Sequence, residues 1–120
     1  MEYILRWLKR ARRDLEIAEY NLNSDYIIFA PIYSQQAAEK ALKAIYISEF
    51  SKLLRTHDLV KLAKEIKAPT KIIELSAKIT PAYVATRYPD VAEIYDKESV
   101  IEVFNASKEV LEWVEGKTSS

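Results

Sequence analysis

A chain of 120 residues with one glycine and four prolines has little material for the frequent reversals that a sheet demands. The backbone must run in long stretches between few turns, and the apolar spacing says what those stretches are. Ile4, Leu8, Ala11, Leu15, Ala18 and Leu22 recur at alternating intervals of four and three, one face of an α-helix over about residues 3–22. A second helix begins near residues 26–31 and runs to about 50, with Pro31 in a first turn where a missing N–H costs least. Its sequence YSQQAAEKALKAIYISEF reads as one apolar and one polar face. Ala37, Ala38, Ala41 and Ala44 would let a neighbouring helix approach closely.

Three further helices follow. A short one over residues 58–67, preceded by Thr56 or His57, turns Leu59, Leu62, Ala63 and Ile66 inward. Another starts near Thr70, a candidate N-cap, and bends or pauses at Pro81. A loop over residues 86–95 precedes the last helix, which Asp96 caps and Gly116 ends. The predicted fold is an all-α, up-and-down bundle of four to five helices. It forms a single domain over residues 1–116 with a flexible tail at 117–120.

Composition removes several function classes. No apolar run approaches the roughly 20 residues of a membrane span, and the first residues lack the apolar block of a secretion signal. The expected location is therefore cytoplasmic, with no membrane partner. The chain has no cysteine and one histidine, which leaves no basis for a disulfide, a thiolate nucleophile or a metal site. A glycine-rich phosphate loop is equally unsupported, and no cofactor is expected. Net charge is zero, yet Arg6, Lys9, Arg10, Arg12 and Arg13 crowd into eight residues while residues 90–115 carry eight acids against two lysines. This segregation suits either an anionic ligand or two charged surfaces that complement each other.

Few residues are left to carry chemistry. His57 is the only histidine, the side-chain type that titrates near neutrality, and offers an acid, a base or a phosphate donor. Beside Thr56 and Asp58 it also suits a supporting role at a helix start. Arg87 offers a bidentate contact to phosphate, Tyr88 a stacking face, and Asp90 a group that orients Arg87. The same residues equally make a proline-containing turn pinned by an Arg–Asp pair. Asp14 either pairs with Arg10 one turn earlier or points inward to orient Arg87. Gln36, with Gln35, either reads a base edge or covers the polar side of its helix.

The order of these pieces carries a resemblance. Trp7, Asp14, Leu15 and Ala18 on the first helix, then QQAAEKALKA over residues 35–44, THDL over 56–59 and RYPD over 87–90 together resemble the HEPN domain family across about residues 3–115. The resemblance implies small helical bundles that form homodimers. It also implies work beside a minimal nucleotidyltransferase, in some cases as a toxin–antitoxin pair, with a nucleotide or RNA as ligand. Members that cleave RNA carry Arg and, four to six residues on, His. Here Arg55 lies two residues before His57 and no histidine follows Arg87, so that motif is absent. What is implied is an accessory module whose ligand-binding residues are Arg87, Tyr88, Asp90, His57, Asp14 and Gln36. The alternatives are a metal-independent endoribonuclease that pairs His57 with Arg87 from different helices, and a purely structural interaction protein.

Overall fold

The apolar stripe read on the first helix closes onto the second. In the computed structural model, which describes residues 2–87 and 96–118 (backbone alone for 85–87), α1 spans Glu2–Leu22 and buries Leu8, Ala11, Leu15 and Ala18. Asn21 donates its side-chain amide to the Ile17 carbonyl one turn back, and Asn23 to that of Glu19, one of the acceptors that the helix end leaves orphaned. A single 3-10 turn, Ile27–Phe29, then delivers the chain into α2, Ala30–Phe50, with Pro31 in its first turn. Each long helix has 21 residues, about 31 Å at 1.5 Å per residue, which accounts for most of the 38 Å long axis.

The second helix departs from its expected two-faced character. Ala37, Ala38, Ala41, Leu42 and Ala44 are wholly buried, and so are the polar Ser34 and Gln35, with Lys43 nearly so. The reason is position: α1 packs along one side, the last helix along another, and the short helices cover a third. A helix clasped on several sides buries polar as well as apolar residues; Gln35 and Lys43 both meet Glu39, while the Ser34 hydroxyl has no hydrogen-bond partner among the described residues. Ser107 on the last helix donates to the Ser34 carbonyl, holding the two backbones close at a small-residue contact.

The remaining elements are short and well capped. α3, Leu59–Glu65, starts at Asp58, whose carboxylate accepts from the Val60 and Lys61 N–H groups; the capping residue is thus neither Thr56 nor His57. α4, Thr70–Ile79, contains Thr70 as its first residue, so the expected threonine cap gives way to Pro69 with no side-chain bond. Thr80 stays in helical conformation and α5, Pro81–Arg87, follows directly. Pro81 therefore bends a helical run, and residues 86 and 87, expected in a loop, are helical; the rest of that expected loop, residues 88–95, lies outside the described residues. Asp96 caps α6, Lys97–Thr118, as read, accepting from the Ser99 N–H at 2.7 Å. α6 runs through Gly116 to Thr118 instead of ending at the glycine, where a methyl group would meet nothing within 4 Å.

Taking α4 and α5 as one bent run, the described residues form an all-α bundle of five helical runs, with no strand among them. Left-handed backbone, ordinarily the province of glycine at helix ends, falls instead to Ser51 (φ 54°) and Lys67 (φ 56°). After α3, the Ala68 N–H reaches the Ala63 carbonyl across Lys67 at 2.9 Å and closes the helix tightly. That closure fixes the start of α4 and so the approach of α5 to the centre. Among the described residues no helix is long and apolar enough to cross a membrane.

Candidate functional site

Three residues on one stripe of α2, Gln35, Glu39 and Lys43, are spaced four apart and point toward the segment that leads into α3. Glu39 is the hub. Its Oε1 accepts from Gln35 Nε2 at 2.9 Å and lies 2.9 Å from His57 Nδ1, while its Oε2 accepts from Lys43 Nζ at 3.0 Å. Lys43 is buried and held by Glu39, so it neutralises the carboxylate locally and presents little charge to solvent. The His57 ring is 52% exposed and stacks on Tyr83 of α5, with centroids 4.3 Å apart and planes 15° from parallel. Asp58 takes the cap and Thr56 Oγ1 accepts the Asp58 N–H, which leaves the imidazole uncommitted to the helix start.

Electrostatics fix the tautomer of this histidine. Burial is the largest influence on the Glu39 carboxyl and pushes it up, but the hydrogen bonds from His57, Gln35 and Lys43 together outweigh it. The carboxyl is held below the ordinary value of 4.5. An ionised carboxylate only accepts, so the proton in the 2.9 Å contact sits on His57 Nδ1. In the neutral ring Nε2 then carries the lone pair, and it has no partner among the described residues. A half-buried acid that orients an exposed imidazole and fixes its tautomer is an arrangement used by acid–base and metal sites alike.

The lowered carboxyl has a consequence for stability. A carboxyl depressed by folding contributes fully above its unfolded value and loses that contribution as pH falls through its folded value. Glu39 therefore stabilises the fold above about pH 4.5 and ceases to do so progressively below it. Glu39→Gln should be less stable than the wild-type chain at pH 7, with a denaturation midpoint that changes less between pH 5 and pH 3. Parallel curves for the two proteins over that range would show that Glu39 is not held ionised by its neighbours.

The other expected site residues divide between two regions. Arg87 ends α5 one turn, about 6 Å of helix rise, beyond Tyr83, the ring on which His57 stacks. Tyr88 and Asp90 lie outside the described residues. Asp14 does point inward, being 5% exposed, but its partner is Lys40 of α2 and not Arg10. Gln36 is half-buried one turn before Lys40, while its neighbour Gln35 belongs to the Glu39 cluster. Glu39, Lys43 and Tyr83 are site members that the sequence reading missed. A polar stripe at intervals of four inside an alanine-rich helix is the signal that would have found the first two.

The segregated charges partly answer one another within the chain. Arg12 forks onto Glu115 through Nε and a terminal nitrogen, Lys71 meets Glu109 at 2.7 Å, and Lys78 meets Glu102 at 3.6 Å. Such exposed pairs contribute little individually, but they engage much of the acidic face of α6. Lys9, Arg10 and Arg13 form no ion pair among the described residues.

Comparison with known proteins fits this architecture. The family model described as HEPN domain matches residues 4–117. Two solved structures superpose over nearly the full length of both chains. TT1696 from Thermus thermophilus is 27% identical, with a TM-score of 0.87, 98% of this chain covered and 99% of that one. ST0689, described as an archaeal HEPN homologue, is 32% identical, with a TM-score of 0.80 and coverages of 95% and 96%. No curated protein matches.

Proposed function

Because this chain belongs to the HEPN domain family, we propose that it is a dimeric accessory module that binds a nucleotide or an RNA end and partners a minimal nucleotidyltransferase, in the manner of a toxin–antitoxin pair. One observation carries the ligand half of the reading: a half-exposed imidazole, oriented by a half-buried carboxylate and stacked on a tyrosine, one turn from an arginine. In this reading Arg87 takes a phosphate through its planar fork, and His57 Nε2 meets an acidic phosphate O–H or a ribose hydroxyl. The Tyr83 ring keeps the imidazole plane fixed, so binding sacrifices little side-chain freedom.

Native mass spectrometry of the protein captured gently from its own cells tests both halves. A dimer carrying a nucleotidyltransferase-sized chain or a nucleotide-sized mass is expected. Arg87→Ala and His57→Ala should each weaken ligand binding about tenfold, the loss of one charge-assisted contact, with helicity retained. Unchanged affinity for every nucleotide and partner in both variants would overturn the reading.

The fixed tautomer also favours a second reading, a metal-independent endoribonuclease. Here the bare Nε2 of His57 takes the proton from a ribose 2′-hydroxyl, whose oxygen attacks the adjacent phosphorus. The 5′-oxygen leaves, protonated by water, and the His57 imidazolium returns its proton to the hydroxide so formed; a cyclic phosphate remains, while Arg87 balances the charge gathering on the phosphoryl oxygens. RNA cleavage in the presence of a chelator, lost in His57→Ala at unchanged stability, is the required result. Inactivity of the pure protein on varied RNAs would remove this reading.

A further inference from the structure

The face of α1 that the bundle leaves uncovered combines cations with aromatic rings. Tyr3, Arg6, Trp7 and Arg10, with Lys40 of α2, line an open groove of about 220 Å³. Tyr3 is exposed and Trp7 half-buried, their rings edge-to-face with centroids 6.3 Å apart. Lys9, Arg10 and Arg13 are exposed along the same helix without an ion pair among the described residues. Arg6 meets only Glu2 of its own helix, at 3.5 Å and with both side chains largely in solvent. From Arg6 to Arg13 the cations cover about 10 Å of helix axis.

Three kinds of partner suit a cationic surface, and the structure discriminates among them. A second copy of this chain would need to offer a row of free acids, yet three of the five on α6, Glu102, Glu109 and Glu115, are already engaged by Lys78, Lys71 and Arg12 of the same chain. Among the described residues that leaves only Glu98 and Glu112 of α6, at opposite ends of that helix. An anionic membrane would need a continuous apolar face to insert, yet Leu8, Ala11, Leu15 and Ala18 of α1 are buried in the bundle. A single nucleic-acid strand needs a row of cations for its phosphates and rings for its bases, and both lie on the solvent side of α1, where Arg6 and Arg10 join the aromatic groove to the adjoining surface that carries Lys9 and Arg13. The geometry points to the α1–α2 groove as a binding surface for single-stranded RNA, with Trp7 and Tyr3 as the stacking platform and Lys9, Arg10 and Arg13 as the phosphate contacts. Lys40 is held by Asp14 and serves as a hydrogen-bond donor at the groove floor more than as a free charge. This surface goes beyond the His57 site and does not depend on it: one holds the body of a strand, the other a phosphate group.

The test is fluorescence anisotropy of a labelled, unstructured oligouridylate titrated with the intact protein at several salt concentrations. In a Trp113→Phe background, Trp7 is the only tryptophan, and base stacking should quench its emission as the oligonucleotide binds. The triple variant Lys9→Ala, Arg10→Ala, Arg13→Ala should lose affinity at least tenfold. Its plot of log affinity against log salt should be shallower by about two, three phosphate contacts at roughly 0.7 each. Tyr3→Ala, at an exposed site that leaves the fold intact, should weaken binding about tenfold with the salt slope unchanged. The triple variant should bind a nucleoside monophosphate, which carries no strand for this groove, as the wild type does, and this separates failure of this surface from failure of the His57 site. No binding at low salt up to about 100 µM protein, the weak end of non-specific affinities, would overturn the proposal. So would an unaltered salt slope in the triple variant, or binding to phosphatidylserine vesicles or to polyglutamate with none to the oligonucleotide.

Discussion

Replacing Lys40 with methionine should remove about 3 kcal/mol of stability, although methionine fills nearly the same volume. The cause is the residue left behind. Asp14 is 5% exposed and its carboxylate is met by the Lys40 ammonium, the tie between α1 and α2. Without that ammonium the carboxylate is buried and uncompensated, and the penalty for a stranded charge exceeds what the intact pair contributed. Asp14→Leu together with Lys40→Met should recover most of the loss, because no charge then remains to be desolvated. Urea denaturation of the three proteins decides it. A loss below about 1 kcal/mol in Lys40→Met would mean that solvent reaches Asp14 freely.

A loss of similar size is expected from Leu62→Ala, with a different consequence. Leu62 is wholly buried on a seven-residue helix that holds itself down by Leu59, Leu62 and Ala63 alone. Truncating a fully buried leucine costs about 2–5 kcal/mol, and an isolated helix this short has no stability of its own to fall back on. The melting temperature should drop by roughly 10–15 °C in a domain of this size. Because α3 anchors the segment that carries His57, the variant should also loosen the contact with Glu39, so the imidazole becomes mobile before the bundle unfolds. A variant that melts normally would show that the core repacks around the vacancy.

The elements that the sequence announced are those whose stabilising partners are local. The α1 stripe needs only its own spacing, and Asp96 caps α6 through a residue three positions away. Features that need a second helix were not legible. Asp14 invited pairing with Arg10 one turn back, yet the α1–α2 crossing brings Lys40, 26 residues away, to the carboxylate. The link from Glu39 to His57 spans 18 residues, and only the route of the chain after Ser51 shows which stripe of α2 the histidine meets. Helix ends were misjudged where glycine rules were applied to a chain with one glycine. Ser51 and Lys67 take the left-handed positions themselves, and Gly116 sits inside a helix. The proline at 81 bends a helix without ending it because Thr80 keeps its helical backbone, and the run reaches Arg87 as a result.

The central claim is that His57 is a preorganised ligand-binding imidazole, and the chain's single histidine makes it directly observable. Nuclear magnetic resonance of protein with isotope-labelled histidine nitrogens reports one ring, its tautomer and its response to ligand. The account predicts a ring that carries a proton on Nδ1, toward Glu39, and an Nε2 whose signal moves when a nucleoside phosphate or RNA is added. A ring protonated at Nε2 alone, or one that stays still for every nucleotide and RNA while Glu39→Gln leaves it unchanged, would contradict the account and return His57 to the surface of a purely structural bundle.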